Sequence, residues 1–313
     1  MVRVAHQPDH LVPVIAQQLG QPQRDLSVST RNHDSHTPSL TRMRQTAYVP
    51  YATAQDGTRI AYQISGEGQP LVLLAGQSNN HTWWEPVRGD FDTTYRTITL
   101  DWRGTGASDK PDEVYSTPGF ADDVVAVLDE LGLASAHVYG TSMGGRVAQW
   151  IAINHPDRVR GLVLGCTSPG PAHGFERSQE LRKALADPIR AGRVLIDLMY
   201  TPQWRAANPG PYPVLGDADM PPYAKGRHLV ASNKHEAWER LPEIGAPTLI
   251  LHGADDIFSP VANAQVLSER IPQARAEVIA GARHAYFHEF RAVASPLVLE
   301  FLAVAGLGYD STD

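Results

Sequence analysis

The sequence predicts an α/β fold, a mostly parallel sheet flanked by helices with an inserted helical lid. Short strand-like runs alternate with amphipathic stretches of helix length over most of the chain, the pattern of parallel strands joined by crossover helices. Residues 71–75 form an apolar run without alternation, which suits a strand covered on both faces. The alternation lapses once, between Pro169 and about Asn233, over a length that ordinary connections do not reach.

Taken in order, residues 1–45 are rich in Gln, Ser, Thr, His, Pro and Arg without a sustained period, so they are expected to form a flexible leader. Met43 is a candidate start, and His6, His10, His33 and His36 lack metal-ligand spacing and read as solvated loop residues. The first core segment, 46–168, opens with a hairpin, strands over 48–53 and 59–65 around the turn Gln55-Asp56-Gly57. Strands are expected at 71–75, 97–100, 137–140 and 161–165. A helix over 118–131 follows from one apolar stripe, Phe120, Val124, Val127, Leu128 and Leu131, with Gly132 as its stop. A second helix spans Met143 to Asn154 and ends before Pro156. The lid, 169–233, begins with helices over 175–186 and 188–200, after which Pro202, Pro209, Pro211, Pro213, Pro221 and Pro222 break the chain. The second core segment, 234–306, carries strands at 248–252 and 276–279 and helices at 261–271 and 293–302, and 307–313 is a tail.

A chain of 313 residues is long enough for one large domain with a sizeable core. The formal charge of −7 gives no broad basic surface for phosphates, so nucleic acid and anionic membranes are not expected partners. The single cysteine, Cys166, cannot form an internal disulfide, and no apolar run approaches the ~20 residues of a membrane span. A cytoplasmic location is the default expectation; oligomeric state is open.

The chemistry is carried by Gly140-Thr141-Ser142-Met143-Gly144, a G-x-S-x-G string placed directly after one expected strand and at the start of a helix. Such a turn projects the central side chain above the sheet. A serine hydroxyl attacks poorly until a base takes its proton, so a histidine is required at the same sheet edge. His284, in the turn after the strand at 276–279, fits; His288 is the rival, His252 reads as a packing residue, and His81 is a candidate pocket residue. The imidazole needs a carboxylate to fix its tautomer. Asp256 is favoured over the adjacent Asp255, while Asp101 reads as structural, pairing with Arg103 or turn amides. Backbone N–H groups of Met143 and Gln77 are the expected oxyanion donors. Trp204, Tyr212 and Tyr223 in the lid, with Trp83 and Trp84, suggest an apolar pocket, with Trp83, Trp204 and Tyr212 as candidate lining residues.

At these residues, together with 101–108 and 246–256, the chain resembles the α/β-hydrolase superfamily from about Tyr48 to Gly306. The resemblance carries over Ser142, Asp256 and His284 as the triad and Met143 and Gln77 as oxyanion donors, with Ala75-Gly76 standing where many members have His-Gly. It is closest in style to small lactonases and methylesterases, and the serine excludes the branches with a carboxylate nucleophile. It implies hydrolysis of a carboxylic ester, lactone or thioester of a small apolar molecule through an acyl-enzyme. It implies no metal and no organic cofactor. Alternative readings are a carbon–carbon bond hydrolase or perhydrolase with the same triad, and a cyclisation catalyst or ligand-binding protein on the same fold.

Overall fold

The computed structural model describes residues 49–306 and the backbone of Val2–Ala5. His6, His10, His33, His36, Met43 and the tail 307–313 lie outside the described residues. The strands are β1 (Val2–Ala5), β2 (Tyr51–Thr53), β3 (Arg59–Ser65), β4 (Gln69–Leu74), β5 (Tyr95–Leu100), β6 (Ala136–Thr141), β7 (Val159–Gly165), β8 (Thr248–Gly253) and β9 (Ala274–Ile279). The helices are α1 (Glu85–Asp92), α2 (Thr117–Glu130), α3 (Met143–Asn154), α4 (Gln179–Ala186), α5 (Ala191–Met199), α6 (Pro202–Ala207), α7 (Pro222–Asn233), α8 (Ala262–Arg270), α9 (Tyr286–Glu289) and α10 (Arg291–Gly306). They build one sheet in the order β1-β9-β8-β7-β6-β4-β5-β3-β2, in which only β2/β3 and β3/β5 pair antiparallel.

The two faces of the sheet are apolar because the central strands alternate between two cores. On β4, Val72 and Leu74 face the layer of α2, α3 and α8 with Phe120, Val147 and Leu267, whereas Leu71 and Leu73 face α1 and α10 with Phe91, Val298 and Leu302. Burying a side chain of this size contributes about 1.5–3 kcal/mol, so a doubly covered strand needs no polar alternation. On α2, Phe120, Val124, Val127 and Leu128 are all buried, Ser116 caps the N-terminus through Gly119 N–H, and Gly132 ends the helix at φ +64°. The expected hairpin forms as β2 and β3, turning at Gly57 with φ +87°.

Three features depart from the sequence reading. Val2–Ala5, expected within a leader without regular structure, runs parallel to β9 with Val2 opposite Ala276 and Ala5 opposite Ile279. Its Val-Arg-Val order has strand propensity, and β9 would otherwise present an open edge. The stretch before β5 contains α1, which buries only Val87 and Phe91 and so shows too few apolar positions to reveal a period. The proline-rich second half of the lid contains α6 and α7, each with a proline in its first turn, where the missing N–H costs nothing. No helix among the described residues is long and apolar enough to cross a membrane.

The register sets the rim of the sheet. Leu74 stands opposite Gly140, Thr141 opposite Gly165, Gly165 opposite Leu251 and Gly253 opposite Ile279, so the carboxyl ends of β4, β6, β7, β8 and β9 are level. The loops that leave these ends meet at one edge.

Candidate active site

Ser142 stands between β6 and α3 at φ +56° and ψ −119°, a strained backbone for a residue with a Cβ. It is held there by its own N–H, which donates to Gly165 O at 2.8 Å, and by its carbonyl, which accepts from Thr167 Oγ1 at 2.8 Å. The flanking glycines are required by contact. A Cβ on Gly140 would lie 2.2 Å from Gly144 O, and one on Gly144 would lie 2.3 Å from Leu74 O. Both obstacles are backbone and cannot rotate away. Gly144→Ala is therefore expected to destabilise the protein by about 3 kcal/mol, lowering Tm by roughly 6–12 °C; an unchanged melting curve would show that the turn is looser than drawn.

His284 and Asp256 arrive from the ends of β9 and β8. Nδ1 of His284 lies 2.7 Å from Asp256 Oδ2, and both side chains are fully buried. Oδ1 of Asp256 accepts from Phe258 N and Ser259 N, each at 2.9 Å, and Nε2 of His252 stands 3.4 Å from Oδ2. Burial alone would raise the Asp256 pKa; the His284 and His252 imidazoles outweigh it and hold the carboxyl well below the usual carboxylate range. Nε2 of His284 is buried with no hydrogen-bond partner, so it makes none with Ser142. Catalytic hydrogen bonds of this kind are often long before substrate arrives.

Ser142 lines a cavity of about 410 Å³, and His284 sits behind its wall, with the Phe258 ring edge-on to the imidazole at 4.7 Å. Gln77 and Met143, the expected oxyanion donors, and Trp83, an expected lining residue, line the same cavity. Gly76 is where the chain passes Trp83: a Cβ there would meet the indole at 2.6 Å. The indole donates to Thr141 Oγ1 at 2.9 Å and stacks on Phe287 with centroids 5.2 Å apart.

Trp204 and Tyr212, expected in the pocket, do not line it. Trp204 stacks on buried Tyr200 at 4.5 Å and Tyr212 packs against the same ring at 5.0 Å, because Thr201 caps α6 directly after Tyr200 and turns the indole back onto it. Trp84 is a core residue and Tyr223 is exposed, its hydroxyl donating to Lys110 O at 2.6 Å. His288 joins that cluster, its Nδ1 2.9 Å from the Tyr200 hydroxyl, and burial lowers the His288 pKa to about 4. Asp255 is exposed, and no hydrogen bond joins it to His284.

Asp101 accepts from His81 N and Ala107 N at 2.9 Å each, and His81 Nδ1 lies 2.6 Å from the same carboxylate, which takes that ring out of the cavity. Arg103 pairs instead with Asp123 and Asp56, at 2.6 and 2.7 Å.

Residues that sequence reasoning passed over complete the site. The cavity wall includes Arg146, Arg177, Phe258, Cys166 and the apolar lid residues Leu185, Leu195, Met199, Val214 and Leu215. The lid also grips the loops that carry Gln77 and His284. Asn79 Oδ1 accepts from Gly216 N at 2.9 Å while its amide donates to Gln77 O at 2.8 Å; Ser78 O accepts from Asp217 N at 2.7 Å. Ser78 N donates to His228 Nδ1 at 3.3 Å, which fits a ring that donates from Nε2 to Arg103 O and that burial keeps neutral, with a pKa of about 4. On the other side His284 N donates to Leu198 O and Ala285 N to Met199 O. Among the described residues, one grouping has donor atoms close enough to hold a metal ion: Cys166, Asp256 and His284, all within 4.8 Å. Burial pushes the Cys166 thiol well up, so it is protonated at neutral pH.

The chain matches the family model for the α/β-hydrolase fold over residues 69–290. It is 33% identical over 267 residues to a provisionally named carbamate hydrolase, RutD, of Azorhizobium caulinodans, covering 81% of this chain and 97% of that protein. It is 30% identical over 234 residues to 3-oxoadipate enol-lactonase 2 of Acinetobacter baylyi, covering 72% and 86%. Among solved structures, Est816, an N-acyl homoserine lactone degrading enzyme, superposes with a TM-score of 0.70 at 31% identity, over 80% of this chain and all of that one. With its level rim of parallel strand ends, strained serine turn and buried histidine–carboxylate pair, this chain belongs to the α/β-hydrolase fold family.

Proposed function

We propose that the protein is a serine hydrolase that cleaves a carboxylic ester, lactone or thioester through an acyl-enzyme on Ser142. The observation that carries this reading is the buried Asp256–His284 pair at 2.7 Å, whose outer nitrogen is left without a partner at the rim where Ser142 stands. An unsatisfied buried nitrogen costs about 1–3 kcal/mol, and a hydroxyl proton satisfies it. In the first half-reaction His284 Nε2 takes the Ser142 proton as Oγ bonds to the carbonyl carbon. The protonated imidazole, stabilised by Asp256, then gives that proton to the leaving alcohol or thiol as the scissile bond breaks. In the second half-reaction water loses a proton to Nε2 and attacks the acyl carbon, and Ser142 Oγ leaves with the proton. Gln77 N–H and Met143 N–H stabilise the oxyanion in both halves, each worth about 10²–10³ in rate.

The carbamate-hydrolase, enol-lactonase and lactone-degrading names of the relatives support a hydrolase reading without choosing the bond. A fluorophosphonate probe is expected to label the folded protein once, at Ser142. A panel of p-nitrophenyl esters, lactones and thioesters then identifies the bond cleaved. A folded protein that takes no label would overturn the reading in favour of a binding protein.

A further inference from the structure

The cavity beside Ser142 has an electrostatic character opposite to that of the chain. The protein carries a formal charge of −7, yet the charged side chains lining the cavity are Arg146, Arg177 and Lys225, with no carboxylate among them. Arg146 lies one turn along α3 from Ser142 and is fixed, donating to Ser168 Oγ at 2.8 Å and to Ser232 Oγ at 3.1 Å. Arg177 is different. Its guanidinium lies 3.8 Å over the centre of the Phe258 ring, the ring that packs on His284, and among the described residues it has no hydrogen bond and no ion pair. The carboxylates whose charge reaches it, Glu176 and Asp256, are engaged elsewhere, Glu176 with Arg182 at 2.6 Å and Arg146 at 3.7 Å and Asp256 with His284 at 2.7 Å. Burial and the charge of Arg146 lower the Arg177 pKa to about 10, which leaves it charged at neutral pH. A half-buried cation beside a second cation, with an aromatic face against it and no carboxylate in hydrogen-bond or ion-pair contact, is a costly arrangement unless an anion completes it.

We propose that the cavity binds substrates bearing a carboxylate on the acyl group, the carboxylate held by the Arg177 guanidinium with Arg146 and Lys225 adding to the local field. The apolar wall of Leu195, Met199, Val214 and Leu215 takes the chain between that carboxylate and the scissile carbonyl. The planar guanidinium, stacked on Phe258, presents its donors in the fork that carboxylates accept. This deepens the serine-hydrolase reading, narrowing a small apolar substrate to an amphiphilic one with an anionic end, and rests on it.

The test separates binding from turnover. In the Ser142→Ala protein, calorimetry compares hexanoate with hexanamide, two ligands of equal length that differ in charge. Hexanoate is expected to bind about 10–100-fold more tightly, the range for a hydrogen-bonded charge pair. The ratio should fall to near one in Arg177→Met and be partly kept in Arg177→Lys. Equal affinity of the two ligands for the folded Ser142→Ala protein overturns the proposal, as does a preference that survives unchanged in Arg177→Met. Fluorophosphonate labelling of the wild type reports separately on the hydrolase reading, so labelling without carboxylate preference leaves that reading standing and removes this one.

Discussion

Replacing Ser142 by alanine is expected to lower kcat on the best ester or lactone substrate by about 10⁶-fold and to abolish fluorophosphonate labelling. The expected effect is large because in the proposed mechanism the hydroxyl forms the covalent intermediate itself, leaving only the residual rate supplied by binding and the proposed oxyanion donors. The alanine fits the same turn, since the strain at φ +56° is in the backbone and the hydrogen bonds that hold it use Ser142 N and O, not Oγ. The variant should therefore fold with an unchanged melting temperature. A Ser142→Ala protein that retained more than a hundredth of the activity would place the nucleophile elsewhere.

Asp256→Asn is expected to lower kcat by about 10⁴-fold with the fold intact. The direction follows from which oxygen does what. Oδ1 accepts two backbone N–H groups, Phe258 and Ser259, so an asparagine keeps its carbonyl there and turns its NH₂ toward His284 Nδ1. Nδ1 must then accept, the proton moves to Nε2, and the imidazole can no longer take a proton from Ser142. The acid side of the stability curve should change as well. Because the folded-state pKa of Asp256 lies below the ordinary value of 3.8, its contribution to stability is full above that pH and is lost as pH falls toward the depressed value. Asp256→Asn lacks this contribution, so its stability should fall less steeply on acidification. Stopped kinetics and denaturant titrations from pH 3 to 7 read both effects. A variant with near wild-type kcat would show that another group orients the histidine.

The parts of the site that were legible in the sequence are those that steric rules write into consecutive residues. Gly140 and Gly144 must be glycine because each faces backbone, and the serine between them is thereby marked. Asp256 and His284 were legible because each lies in the loop just beyond a strand whose end the register brings level with the others. The cavity wall was not legible, since Arg146, Arg177 and Phe258 share no local pattern and meet only when the lid is laid over α3 and the loop after β8. The misplacement of Trp204 and Tyr212 has the same origin: a composition rich in aromatic residues says that rings will pack, and Tyr200, one residue before the cap of α6, decided against what. The prolines at 202 and 222 read as breaks for a related reason, because the same residue that stops a helix also opens one.

The grip of the lid on Ser78, Asn79 and the segment at 284–285 constrains how this enzyme class could be re-engineered from this scaffold. A transplanted cover taken from a relative would replace Leu198, Met199, Gly216, Asp217 and His228 at once, putting at risk the tethers of the loops that carry Gln77 and His284, the proposed oxyanion donor and general base. Exchange of substrate range by module swapping would thus arrive with a loss of turnover. Point changes at Leu185, Leu195 or Leu215, which face the cavity and hold no such tether, offer the cleaner route to altered selectivity.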